Sequence, residues 1–190
     1  GDVYKRQDNN WYLDGNNASV VSSDGNKTTV QMGSGYRGDL WLARSGKGKI
    51  VNVTPADYRY FAIKVGFKSQ LVPGKNKPNG CIKLEIFDDG IKKIGPEYFG
   101  TGGDANNRYE ILGASEISTT EPNVLYYDLQ SKYKTVTPTD WNQVFDLVQC
   151  KFVIADFPET AQTYDLYWIR SFKSIEELQA FVDSENNTNE

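Results

Sequence analysis

Three polar segments combine aromatic rings with amide, carboxylate and guanidinium side chains, and these residue types suit the recognition of a sugar. The segments are DNNWYLDGNN, GSGYRGDLWLARSGKG and GPEYFGTGGDANNRYE. A sugar has an apolar C–H face that packs against an aromatic ring, and hydroxyls that pair with amides and charged groups. The candidate ligand-binding residues are Trp11, Tyr12, Tyr36, Arg37, Asp39, Trp41, Tyr98, Asn106, Asn107 and Arg108.

Each of these rings has a structural alternative, because an aromatic residue in a β-protein commonly lies in the core or anchors a loop. Trp41 in DLWLA can face the core, since Leu40 and Leu42 occupy the other side of the same strand. Trp168 in TYDLYWIRSF is expected to be a core residue.

The segment GGDANN also offers oxygen ligands for a calcium ion, namely Asp104, Asn106 and Asn107. The full EF-hand pattern is absent, and Asp, Asn and Gly are common in simple turns. We expect a calcium ion bound here to have a structural role. The alternative is that GGDANN is an ordinary turn that binds no metal.

Catalysis has little support in the sequence. The chain contains no His, which excludes Ser–His and Cys–His nucleophile pairs, His-containing zinc sites and His general bases. A glycosidase needs two carboxylates roughly 5–10 Å apart, but nothing shows that Glu85, Glu97 and Glu110 converge. Nucleophile elbow, phosphate-loop and dinucleotide motifs are also missing. We therefore expect a protein that is not an enzyme.

The elements that must position these residues are mostly short strands, because apolar or alternating runs are separated by Gly, Asn, Asp and Pro. An antiparallel β-sandwich of the jelly-roll, galactose-binding-like type is the expected fold class. The Asp24-Gly25-Asn26 and Asp89-Gly90 sequences are typical hairpin turns. The predicted strands are Ala18–Ser22, Lys27–Met32, Leu40–Ala43, Lys49–Val53, Tyr60–Phe67, Cys81–Phe87, Lys92–Ile94, Tyr109–Leu112, Val124–Leu129, Leu147–Phe157 and Thr163–Arg170.

One helix is expected, in SIEELQAFVDSE near the C-terminal end. Ser174 followed three residues later by Glu177 is a capping box. Ile175, Leu178, Phe181 and Val182 recur at helical spacing and form an apolar stripe that can dock on a sheet.

The composition of the chain argues against binding to nucleic acid and against a membrane span. The net charge of −4, with Lys and Arg spread along the chain, argues against nucleic acid. No apolar run approaches the ~20 residues of a membrane span. The strand period turns Cys81 outward and Cys150 inward, so a disulfide between them is not expected.

The first seven residues, GDVYKRQ, have neither a signal-peptide pattern nor a structural period. Residues 2–7 can be encoded by GAT GTG TAT AAG AGA CAG, which resembles the end sequence of a transposase adaptor. We interpret residues 1–7 as a sequencing-adaptor artefact, with a native linker as the alternative. Residues 8–185 then form a single β-sandwich domain, and residues 186–190 a polar tail or the start of a linker.

Three segments resemble a known family: GYRGDLWLARSGKGKIVNVTPADYRYFAIKV, LVQCKFVIADF and YDLYWIRSFKSIEELQAF. They are similar to a domain of unknown function in secreted and surface lipoproteins of Bacteroidetes glycan-utilisation systems. The resemblance implies a jelly roll akin to carbohydrate-binding modules, neighbouring domains in a longer protein, an extracytoplasmic location and a metagenomic origin. It carries over no catalytic residues.

The first functional hypothesis is a non-catalytic module that binds a polysaccharide or oligosaccharide through its aromatic loops. The alternatives are an interaction or spacer domain of a cell-surface lipoprotein, and a glycoside hydrolase or lyase.

Overall fold

The computed structural model describes residues 13–33, 37–43, 51–53, 57–69, 81–88, 92–93, 109–129, 145–155 and 162–188. Over these ranges the chain forms twelve strands followed by one helix, α1 (Ile175–Thr188). The strands are β1 (Asp14–Asn16), β2 (Ala18–Ser23), β3 (Thr28–Met32), β4 (Arg37–Ala43), β5 (Val51–Val53), β6 (Tyr60–Phe67), β7 (Cys81–Asp88), β8 (Lys92–Lys93), β9 (Glu110–Ile111), β10 (Asn123–Asp128), β11 (Phe145–Ala155) and β12 (Thr163–Phe172).

The strands form two antiparallel sheets that pack face to face. The front sheet has the order β1-β4-β11-β7-β8, with β5 also paired to β11, and the back sheet has the order β2-β3-β12-β6-β10-β9. Neighbouring strands in both sheets run antiparallel. The expected fold class, an antiparallel β-sandwich with one C-terminal helix, is confirmed.

Strand alternation builds the main core between the sheets. In β6 the side chains of Phe61, Ile63 and Val65 are buried, and the residues between them belong to the other face. The two sheets meet at Phe152 of β11 and Tyr164 of β12, whose ring centroids are 5.8 Å apart. Tyr164 is 1% exposed, and this burial raises the pKa of its hydroxyl.

A second core lies on the other side of the back sheet, where α1 covers it. Trp168 and Phe172 of β12 pack there with Leu178 and Phe181 of the helix. The ring centroids of Trp168 and Phe181 are 5.3 Å apart. The expectation that Trp168 is a core residue is confirmed, but its core is the one beneath the helix and not the one between the sheets.

Polar contacts also hold α1 to the back sheet. The Glu185 carboxylate accepts a hydrogen bond from Trp168 Nε1 at 3.0 Å and lies 3.5 Å from Lys64 Nζ. The Arg170 guanidinium stacks on Phe181, with Cζ 3.6 Å from the ring centroid. Burial against this ring lowers the pKa of Arg170.

The helix begins with half of the expected capping box. Ser174 Oγ accepts a hydrogen bond from the N–H of Glu177 at 3.1 Å, as an N-cap serine does. The Glu177 carboxylate, however, accepts from the N–H of Lys173 at 2.6 Å. Both side chains therefore satisfy backbone donors at the helix start, with the Glu177 bond displaced by one residue.

The Asp24-Gly25-Asn26 turn between β2 and β3 is also confirmed. Asp24 Oδ1 accepts hydrogen bonds from the N–H groups of Asn26 and Lys27, each at 2.9 Å. Gly25 has a φ of +89°, a conformation that glycine adopts without strain. The other predicted turn, Asp89-Gly90, lies outside the described residues.

The short strand β1 was not expected, because its sequence DGN has the composition of a turn. It pairs with β4 in the front sheet, and the chain then crosses directly to β2 in the back sheet. Leu13 and Asn17, on either side of β1, have positive φ values of 49° and 56°. A Cβ at Gly15 would lie 1.7 Å from the carbonyl oxygen of Ala18, so this crossing requires glycine.

The register keeps the two cysteines apart. Cys150 pairs with Ile86, whereas Cys81 pairs with Ala155 at the other end of the same ladder. Five residues of strand separate the two positions, about 16 Å at ~3.3 Å per residue, which is beyond the span of a disulfide. Cys150 is 1% exposed and belongs to the main core, as the strand period predicted.

Candidate functional site

Two of the candidate binding residues, Asp39 and Trp41, lie on the outward side of β4. Their neighbours Leu40 and Leu42 are fully buried in the main core, so strand alternation turns Asp39 and Trp41 away from it. The alternative in which Trp41 faces the core is therefore wrong. Gly38, on the core side, leaves room for Met32, whose Cε would lie 2.1 Å from a Cβ at position 38.

Lys151 of β11 completes a three-residue cluster with them. It pairs with Trp41 across the antiparallel ladder, so both side chains stand on the same face. Lys151 Nζ lies 3.1 Å from Asp39 Oδ2 and 4.9 Å from the centroid of the Trp41 ring. We call Asp39, Trp41 and Lys151 the front cluster.

Sequence reasoning did not identify Lys151. The alternation in VQCKFVIADF places it on the face opposite Cys150 and Phe152, so its outward direction was available. Lys151 is 112 residues from Asp39 in sequence, and the two side chains meet only because of the register between β4 and β11. That register was not predictable from either strand alone.

The front cluster is shielded from water but not fully enclosed. The side chains of Lys151 and Asp39 are 14% and 10% exposed, and Trp41 is partly exposed. Val153, two residues along β11 on the same face, is fully buried. Removing either partner of an ion pair in such a setting would leave a poorly hydrated charge.

Polar residues of β1 extend this face to the edge of the sheet. Asp14 pairs with Trp41 and Asn16 pairs with Asp39; both β1 residues are exposed. Asp14 Oδ1 accepts a hydrogen bond from the N–H of Gly15 at 2.8 Å. The outer face therefore carries carboxylate, amide, ammonium and aromatic groups on three adjacent strands.

The remaining candidate binding residues, apart from Arg37, lie outside the described residues. They are Trp11, Tyr12, Tyr36, Tyr98, Asn106, Asn107 and Arg108, and Asp104 of the calcium hypothesis also lies outside. Arg37 is part of β4, two residues before Asp39. The portions of the chain that the structure describes contain no group of three or more potential metal ligands.

The described ranges also contain no helix that is long and apolar enough to cross a membrane.

The fold and the front cluster together describe a β-sandwich with a polar and aromatic outer face on one sheet. The sequence matches the family model DUF4979, a domain of unknown function, over residues 2–178, and the chain belongs to this family. A search of curated proteins found no match.

Three solved structures are similar in fold at low identity. One comes from work on the promiscuous specificity of carbohydrate-binding modules of the β-sandwich superfamily, with 12% identity, a TM-score of 0.44, and coverage of 84% of this chain and 56% of that one. The structure of PfGH50B has 11% sequence identity and a TM-score of 0.45, and the match covers 85% of this chain and 23% of that one. CBM28, a module specific for non-crystalline cellulose, has 10% identity and a TM-score of 0.40, and the match covers 83% of this chain and 82% of that one.

The chain thus spans about half of the first of these structures and about a quarter of the second. Because every TM-score is below 0.5, the likeness carries no argument about function.

Proposed function

We propose that the outer face of the front sheet binds a polysaccharide or oligosaccharide, and that the domain acts as a non-catalytic carbohydrate-binding module. The observation that supports this function is the front cluster, in which a partly exposed Trp41 ring stands beside the Asp39–Lys151 ion pair. A sugar lying against the ring would place its hydroxyls near an ammonium donor and a carboxylate acceptor.

The ion pair argues against one catalytic role for Asp39, that of the general acid of a glycosidase. Asp39 is bound to Lys151 at 3.1 Å, and an adjacent ammonium group stabilises the charged form of a carboxylate. A general acid in a glycosidase needs the opposite, a carboxyl group that stays protonated near neutral pH. Asp39 therefore suits the role of a hydrogen-bond acceptor for a sugar hydroxyl.

The proposal includes an extracytoplasmic location for the protein and a calcium ion that supports glycan binding. A polysaccharide-binding domain of a longer surface or secreted protein would lie outside the cytoplasm and next to other domains. A structural calcium ion at Asp104, Asn106 and Asn107 would make binding sensitive to chelators. These statements rest on the resemblance and the residue types of the sequence.

Affinity gels containing a panel of neutral and acidic polysaccharides, run with and without calcium, test the proposal. We expect Kd values between about micromolar and millimolar for one polysaccharide class. Trp41→Ala should weaken that binding at least about tenfold, and Lys151→Met should weaken it several-fold. A matched control is Arg59→Met, which breaks the Arg59–Asp128 ion pair on the back sheet and should leave binding unchanged.

Each alternative function gives a distinct result. A folded protein that binds no polysaccharide would favour the interaction or spacer domain. Release of reducing ends or unsaturated products from a polysaccharide would show a hydrolase or lyase. Binding that survives both Trp41→Ala and Lys151→Met would place the ligand away from the front cluster.

A further inference from the structure

A β-bulge in the back sheet turns two consecutive aromatic residues to the same face. In β12, Leu166 pairs with Val65 and Trp168 pairs with Lys64, so Tyr167 is an extra residue in the ladder. Leu166 points into the main core, whereas Tyr167 and Trp168 both pack at the core beneath α1. Bulges of this kind redirect side chains and are frequent beside functional sites.

The two rings differ in what covers them. Trp168 is 5% exposed and is enclosed by Phe181 and Glu185 of the helix. Tyr167 lies at the margin of that core and stays partly exposed. The bulge therefore gives the helix one ring to pack on and leaves the other ring at the surface of the sheet.

The Tyr167 ring lies across a glycine. A Cβ built on Gly66 of β6 would be 3.5 Å from Tyr167 Cε2 and 3.9 Å from its hydroxyl oxygen. Position 66 is the sheet position next to Asp165 of β12. Such a Cβ would also lie 3.9 Å from Cβ of Asp165, so the Tyr167 ring and Asp165 are neighbours over position 66.

Two lysines lie in the neighbourhood of this ring. Lys64 Nζ is 5.4 Å from the ring centroid and 3.5 Å from the Glu185 carboxylate. Lys27 is held by Asp165, whose Oδ2 is 3.3 Å from Lys27 Nζ and whose Oδ1 accepts a hydrogen bond from Thr29 Oγ1 at 2.8 Å. The hydrogen bond to Asp165 is the main cause of the raised pKa of Lys27.

Burial is unequal within this network, and the difference directs the positive charge outward. The Asp165 side chain is 11% exposed, whereas the Lys27 side chain is 40% exposed. A ligand that approaches Tyr167 from solvent meets Lys27 before it meets the carboxylate that anchors it. An anionic group on that ligand would gain a charge-assisted hydrogen bond there.

We infer that Tyr167 and Lys27 form a second glycan subsite on the back sheet, one that takes a sugar bearing a carboxylate. The sugar ring stacks on Tyr167 while its carboxylate pairs with the exposed ammonium group of Lys27, because Lys64 is already paired with Glu185. This subsite rests on the ligand class proposed for the front sheet, but it uses different residues on the opposite sheet. Two such faces would let one domain contact two glycan chains.

Affinity gels containing polygalacturonate, with a neutral polysaccharide as reference, test the subsite. Tyr167→Ala should weaken retention by polygalacturonate at least about tenfold, and Lys27→Met should weaken it several-fold and reduce its sensitivity to salt. Tyr60→Ala is the matched control, because Tyr60 is a partly buried tyrosine at the margin of the same core, and it should leave retention unchanged. Lys27→Met alters an exposed side chain, so it tests the subsite even if Tyr167→Ala unfolds.

The possible results separate the two proposals. Retention that is the same for polygalacturonate and the neutral polymer, or that survives both variants, would overturn the back-sheet subsite. Loss of polygalacturonate binding in Trp41→Ala but not in Tyr167→Ala would also overturn it and would leave the front-sheet function standing. Retention that depends on Tyr167 in a protein whose Trp41→Ala variant binds the whole panel normally would overturn only the front-sheet function.

Discussion

At the level of single residues, Asp39 and Lys151 form an ion pair in which both side chains are largely shielded from water. The sequence identifies only Asp39 as a candidate binding residue, because the two residues lie 112 positions apart and are joined only by the register between β4 and β11. Asp39 lies in a segment rich in Gly, Arg and aromatic residues, a composition that favours a sugar-binding site. Lys151 stands in an apolar strand, where a single Lys is typical of any solvent-facing position.

The same ion pair leads to a prediction about stability. Lys151→Met removes the ammonium group from a shielded carboxylate, so the free energy of unfolding should fall by about 1–3 kcal/mol. Arg59→Met removes a guanidinium whose side chain is 43% exposed, and it should lower the free energy of unfolding by less than about 1 kcal/mol. Urea unfolding at neutral pH measures both. Equal losses for the two variants would show that the front cluster is hydrated like an ordinary surface.

At the level of elements, the sequence predicted most strands within two residues of their observed bounds, and β6 was predicted as Tyr60–Phe67 without error. These strands have strong alternation, which is a local property. The sequence did not predict β1, because Asp14-Gly15-Asn16 has turn composition and forms a strand only through its pairing with β4. The bulge at Tyr167 was also not predictable, since it exists only relative to β6.

The start of α1 allows a prediction at this scale. Ser174→Ala removes the acceptor for the N–H of Glu177, so the free energy of unfolding should fall by about 1 kcal/mol, the usual effect of losing an N-cap. Ser184→Ala is the control within the same helix. Ser184 Oγ donates back to the carbonyl of Phe181, an interaction that gives a helix little stability, so this variant should change the free energy by only a few tenths of a kcal/mol.

Thermal unfolding followed by far-UV circular dichroism measures both serine variants. A larger loss for Ser184→Ala than for Ser174→Ala would contradict the capping role of Ser174.

At the level of the whole molecule, the back sheet is shared by two cores. Its inner face packs on the front sheet and its outer face packs on α1. The helix therefore cannot be lost without exposing Trp168 and Phe172 of β12, which is the central strand paired to β3 and β6. The two cores should unfold together.

Leu178→Ala tests this coupling. Leu178 is fully buried in the core beneath α1, so its truncation should lower the free energy of unfolding by about 2–4 kcal/mol. Tryptophan fluorescence and far-UV circular dichroism should still report one coincident transition. An early loss of helical signal, followed by a separate transition of the sheets, would show that the second core is an independent unit.

The attachment of α1 has a mechanical consequence. Because the helix directly follows β12 in the chain, a pulling force at its C-terminal end reaches the helix before it reaches the strand. Side-chain contacts such as those of Glu185 and Phe181 with β12 then break one after another, as in peeling. The ladders that join β12 to β3 and β6 are loaded along their whole length and must shear together. Under a load at this end, in contrast to heat or denaturant, the helix thus yields first and uncovers Trp168 and Phe172 on the back sheet, while the core between the two sheets holds.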